Sequence, residues 1–132
     1  MTDAETLYRY RLEQAQTTLA EAERMLAEGF SPRSVINRAY YAMFYMVLAL
    51  FLKRGVAVES SKHTGVLSIF DRQFILAGEI DRRHSRTLHR MFDKRLELDY
   101  KDCAEPGPTE AREGVENARA FVETLQAYVG GR

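Results

Sequence analysis

With 132 residues the chain is sized for one compact domain with a substantial core, and nineteen basic against nineteen acidic side chains leave no formal net charge. That balance excludes a protein that grips nucleic acid through bulk charge, while a local basic patch stays compatible with it. A lone cysteine, Cys103, excludes an internal disulfide and a cysteine metal set, and its loop setting offers no paired base to make it a nucleophile.

The acidic start Met1-Thr2-Asp3-Ala4-Glu5 lacks the basic and apolar regions of a signal peptide, so the expected compartment is the cytoplasm. Leu12, Ala15, Leu19, Ala22 and Leu26 step by three and four, which predicts an amphipathic helix over about residues 4–28 with Gly29 as its stop. Ser31-Pro32 reads as an N-cap followed by proline at the first helical position. The second helix then runs to Arg54, where Lys53 and Arg54 suit the C-terminal dipole and Gly55 ends it. Ala39 to Leu52 is fourteen residues without a charge, three of them tyrosines. A helix apolar on nearly every side must be buried on nearly every side, and fourteen residues fall short of the roughly twenty that cross a bilayer. No membrane contact is expected.

Ser60 or Ser61 is placed to cap a third helix carrying Val66, Leu67, Ile69, Phe70, Phe74 and Ile75 to near Gly78. A fourth helix starts between Ile80 and Ser85 and reaches about Asp99, with Leu88, Met91, Phe92, Leu96 and Leu98 as its apolar positions. Cys103-Ala104-Glu105-Pro106-Gly107-Pro108 is the clearest loop. Thr109 is read as the cap of a last helix with Ala111, Val115, Ala118, Phe121, Val122 and Leu125 inward, and Gly130-Gly131-Arg132 as a frayed end. No segment alternates with period two. The predicted fold is all-α: one domain over residues 1–132, an antiparallel up-and-down bundle of four long helices and one shorter one.

The chemistry-bearing residues gather in four segments: Asn37-Arg38-Ala39-Tyr40-Tyr41-Ala42-Met43-Phe44, Lys62-His63-Thr64-Gly65-Val66, Leu88-His89-Arg90-Met91-Phe92-Asp93-Lys94-Arg95, and Asp99-Tyr100. A buried phenol needs a hydrogen-bond partner, and Arg38 stands directly before two of them. Tyr40, Tyr41 and Arg38 are therefore candidate ligand-binding residues, with interhelical packing and a buried ion pair from Arg38 to a carboxylate of another helix as the plainer reading. Arg95 and Asp99, four apart, are candidates for the same site, and an intrahelical ion pair also accounts for them. His63 reads as a cap or surface residue. His63, His84 and His89 show no metal-ligand spacing, no glycine-rich phosphate loop is present, and no cofactor is expected.

In this order and spacing the four segments resemble the HEPN family (higher eukaryotes and prokaryotes nucleotide-binding), in its small stand-alone branch, over nearly the whole chain. The resemblance implies a helical bundle, a homodimer and a small nucleotidyltransferase encoded nearby as partner in a toxin–antitoxin or stress system. Catalytic members are metal-independent endoribonucleases built on R-x(4–6)-H. Carried over by position, the catalytic pair becomes Arg95 and Tyr100, with Leu96 where a polar residue is usual. Tyrosine, with an ordinary pKa near 10, is a poor base at neutral pH, so little or no ribonuclease activity is expected from this pair. Arg82 and Arg83 also precede His89 with six and five residues between, a spacing that arises easily in an arginine-rich helix. Three functions follow: an interaction module acting with the nucleotidyltransferase, an endoribonuclease toxin, and a non-catalytic nucleotide- or RNA-binding protein.

Overall fold

In a computed structural model, the described residues are 2–58, 62–99 and 105–130, and they contain five α-helices and no strand. The helices are α1 (Asp3–Ala27), α2 (Pro32–Arg54), α3 (His63–Phe70), α4 (Arg82–Leu98) and α5 (Pro108–Gly130). A π-helical turn, Asp71–Ile75, continues α3. The all-α bundle predicted from the sequence is the observed fold.

Most helix ends form where the local chemistry demands. Thr2 accepts from the Glu5 amide at the start of α1, and Ser31 accepts from the Ser34 amide at the start of α2, where Pro32 occupies the first turn. Gly55 closes α2 at φ 67°, with the Val56 amide reaching the Phe51 carbonyl at 2.9 Å. Asp81 caps α4 by accepting from the Arg83 amide at 2.8 Å. The last helix starts two residues earlier than expected. Pro108, whose missing N–H costs nothing in a first turn, begins it, and Glu110 reaches back to the Gly107 amide, so Thr109 lies inside the helix. The anticipated caps Ser60 and Ser61 lie outside the described residues, and Lys62 is the N-cap of α3, where its side chain does not cap the helix amides.

The third helix also departs from its predicted form. After Phe70 the chain widens into the π turn, in which the Leu76 amide bonds to the Asp71 carbonyl at 2.8 Å. The extra residue per turn brings Phe74 and Ile75 to the core together and leaves Asp71 facing α4. There the Asp71 carboxylate accepts from Ser85 at 2.6 Å and bonds His89 Nε2 at 2.7 Å. His89 is thus a latch between elements.

α2 is the centre. It packs against α1, α4 and α5, and Val35, Ile36, Ala39, Tyr40, Met43, Val47, Leu50 and Phe51 are among its buried residues. By length and composition it could cross a bilayer, but 67% of its apolar stretch is buried inside the protein, as in a core helix. On the outside, Arg119 of α5 donates to Glu23 of α1 at 2.6 Å and clasps the two helices that flank α2.

Two stability changes follow. Leu50→Ala removes a fully buried side chain and should lower unfolding free energy by about 3 kcal/mol in urea titration, with the helical spectrum retained. At Gly55 an added Cβ meets no atom within 4 Å, so Gly55→Ala should cost only the left-handed backbone penalty, about 1–2 kcal/mol.

Candidate functional site

On α4 the residues that turn inward are His84, Leu88, Met91, Phe92 and Leu98. Arg95 stands seven after Leu88, four after Met91 and three after Phe92, so helical periodicity places a guanidinium on the core-facing line. Leu96, expected to face inward, is instead exposed. The two neighbours have exchanged the places that hydropathy alone would give them.

What receives Arg95 is the tyrosine motif of α2. Its guanidinium carbon lies 5.8 Å from the centre of the Tyr40 ring and 5.2 Å from that of Tyr41. Stacking of a cation on two partly desolvated rings stabilises each contact by about 0.5–2 kcal/mol. Arg95 Nε is buried without a hydrogen-bond partner, at a cost of about 1–3 kcal/mol. A buried donor of that kind calls for an explanation, and a guanidinium held in place for a ligand is one.

Arg95 lines a cleft of about 370 Å³. α2 contributes Arg33, Ser34, Asn37 and Arg38 from its first two turns, α4 adds Leu98 and Asp99, and α1 adds Met25. Three arginines therefore converge where the N-terminal dipole of α2 already favours an anion. Their carboxylate partners are loosely held. Arg33 reaches Glu105 at 2.7 Å, Arg38 reaches Glu21 at 3.4 Å, and Arg95 reaches Asp99 at 4.0 Å. Each of those acids is more than half exposed, so the pairs add little stability and yield readily to a better anion. The buried ion pair expected from Arg38 to another helix is not found: Arg38 pairs with Glu21 of α1, and that pair is open to solvent.

Behind Arg95 lies a second polar feature. Tyr40 is fully buried, and its hydroxyl is 2.7 Å from His63 Nδ1. The imidazole stacks on Phe44 with ring centres 4.0 Å apart and planes at 12°, and Tyr41 and Phe92 close the box. Burial pushes the Tyr40 phenol well above its usual range, partly offset by the nearby Arg95 charge. Burial, and then Arg95, hold His63 below the usual imidazole range, so it is neutral at pH 7.

Of the sequence candidates, the structure brings Arg38, Tyr41, Arg95 and Asp99 together at the cleft and its wall. Tyr40 reaches a ligand only through Arg95 and His63, since none of its surface is exposed. Tyr100 lies outside the described residues. Sequence reading missed His63 as a member of the site. The signal was there: residues 63, 66, 67 and 70 repeat at helical spacing, which puts His63 on the same face as Val66, Leu67 and Phe70. Among the described residues no three acidic, histidine or cysteine side chains gather as a metal site.

Comparison with known proteins identifies the family. The HEPN domain family model matches residues 8–128. The UPF0332 protein of Thermotoga maritima is 30% identical over 98% of this chain and 96% of its own length. Two Methanocaldococcus jannaschii proteins, each named "Putative toxin", are 29% and 30% identical over 89% and 87% of this chain, and over 78% and 83% of themselves. With its tyrosine helix, its inward arginine and this extent of match, the chain belongs to the HEPN domain family.

Proposed function

We propose that the protein is a toxin-type HEPN module that binds the phosphates of RNA or a nucleotide in the Arg33–Arg38–Arg95 cleft. It acts as a homodimer and pairs with a small nucleotidyltransferase encoded nearby. The observation that carries the ligand class is Arg95 itself. A charge on the core-facing line of a helix, stacked on two tyrosines and opening onto two further arginines, suits an oxyanion better than any purely structural need. Guanidinium forks match phosphate oxygens in pairs, and Ser34 and Asn37 add neutral donors beside them. The relatives named as toxins support the biological setting.

The dimer and the partner rest on the family. The α2 and α4 faces that carry Tyr41, Arg38 and Arg95 are where the second subunit sits in this reading, so that two clefts face each other across a twofold axis. Cytoplasmic action on RNA fits the same picture.

Binding is tested with single-stranded RNA by fluorescence anisotropy across a salt series. Arg95→Ala and Arg38→Ala should each weaken binding about tenfold and reduce the log–log salt slope by about 0.7, the value for one lost phosphate contact. Affinity and slope unchanged in both variants would remove the cleft from the reading. Light scattering at micromolar concentration should give twice the chain mass, and a monomer there would end the dimer.

A further inference from the structure

Beside the phosphate cleft lies a second cavity, of about 260 Å³. Its walls are Glu21, Arg24, Met25 and Glu28 of α1, Phe30 of the α1–α2 turn and Arg38 of α2. Met25 and Arg38 line both cavities, so the two adjoin. Their linings differ in kind. The phosphate cleft carries three arginines and one carboxylate, whereas its neighbour carries two arginines, two carboxylates and an aromatic ring.

The ring belongs to a large apolar residue that the core does not take in: Phe30 is 52% exposed. Its backbone is nevertheless fixed. Gly29 turns the chain at φ 80°, and the Phe30 amide donates to the Met25 carbonyl at 2.9 Å. An open aromatic on a fixed turn, next to a cleft for phosphate, is the kind of platform on which an unpaired nucleobase stacks.

The charges have an order of their own. Glu21, Arg24 and Glu28 stand three and four apart on α1, which sets them along one face. Glu28 pairs with Arg24 at 3.5 Å within that helix, while Glu21 accepts from Arg38 of α2 at 3.4 Å. Arg38 serves both cavities, but Glu21 lines the second and not the first. A phosphate that takes the Arg38 guanidinium therefore leaves the Glu21 carboxylate free for other donors. An ionised carboxylate only accepts, so the ligand group that suits it is one rich in N–H.

We propose that this second cavity is a nucleobase subsite and that the base it selects is guanine. The inference rests on the phosphate-cleft reading above. Guanine presents N1–H and the N2 amino group side by side, a pair of donors that the two oxygens of the Glu21 carboxylate accept together. On its other edge O6 and N7 are both acceptors, the pattern an arginine fork reads best, and Arg24 supplies that fork. The ring stacks on Phe30. Adenine sets an amino donor where guanine has O6 and a lone pair at N1, which repels the carboxylate. Cytosine and uracil each lack the paired donors. The Arg38–Glu21 ion pair is thus divided on binding between two ends of one ligand, the cation going to its phosphate and the anion to its base.

The test uses fluorescein-labelled oligouridine strands carrying one central guanosine, adenosine, cytidine or inosine, read by fluorescence anisotropy. The guanosine strand should bind about tenfold tighter than the adenosine, cytidine and all-uridine strands, and inosine, which lacks the N2 amino group, should fall between. Glu21→Gln should bring the guanosine strand to the level of the others without weakening the all-uridine strand. Phe30→Ala should weaken the guanosine strand about tenfold through lost stacking, with helicity unchanged by circular dichroism. Equal affinity for all the strands, or a guanosine preference that either variant leaves intact, would overturn the guanine subsite. The phosphate cleft would still stand there if Arg38→Ala weakened every strand alike. No binding of any strand by the wild type would overturn the cleft, and the subsite with it.

Discussion

A helix without a polar side has to be enclosed, and the enclosure of α2 organises everything else in this bundle. α1, α4 and α5 pack on it, and the Arg119–Glu23 clasp joins α1 and α5 from outside. Enclosure creates a problem that only a few residues can solve. Tyr40 takes a hydroxyl into the interior, where an unpaired polar group is costly, and the solution comes from another helix as His63 Nδ1. The same rings give Arg95 a place to rest on the inner side of α4. Packing of the central helix and assembly of the site therefore draw on the same side chains, because those that close the core also position the charges.

Much of this could be read from residue order. Gly29, Ser31-Pro32 and Gly55 bracket the first two helices because backbone conformation and capping are local matters, settled within four or five residues. The apolar run of α2 announced a buried centre for the same reason. What could not be read depended on partners distant in sequence. The π turn at Asp71–Ile75 is recognised by where Asp71 finds its partners on α4, and nothing within the segment itself reports Ser85 or His89. Arg95 and Leu96 were misplaced because hydropathy ranks leucine as the inward residue, while the ring faces of Tyr40 and Tyr41 supply a site for a cation that hydropathy does not count. His63 was passed over because a histidine at a helix start is usually a surface feature.

The electrostatics of the cleft turn on a contrast in holding. The carboxylates opposite Arg33, Arg38 and Arg95 are more exposed than the arginines they face, and one of these pairs is at 4.0 Å. In each pair the arginine is the more enclosed partner and the carboxylate the more exposed one. Such a surface carries no large net charge, in keeping with the neutral chain, yet it exchanges weak internal partners for a stronger external one without unfolding anything.

The π turn has a mechanical meaning for this arrangement. By holding both Ser85 and His89, one turn apart, Asp71 fixes the azimuth of α4 about its own axis. Arg95 lies six residues beyond His89, about 9 Å further along the same rod. A helix transmits rotation with little loss, so a twist of one residue at the latch, about 100°, would swing the guanidinium off the tyrosine rings altogether. The single widened turn acts as an angular stop, setting at one end of α4 the direction in which its charge points at the other.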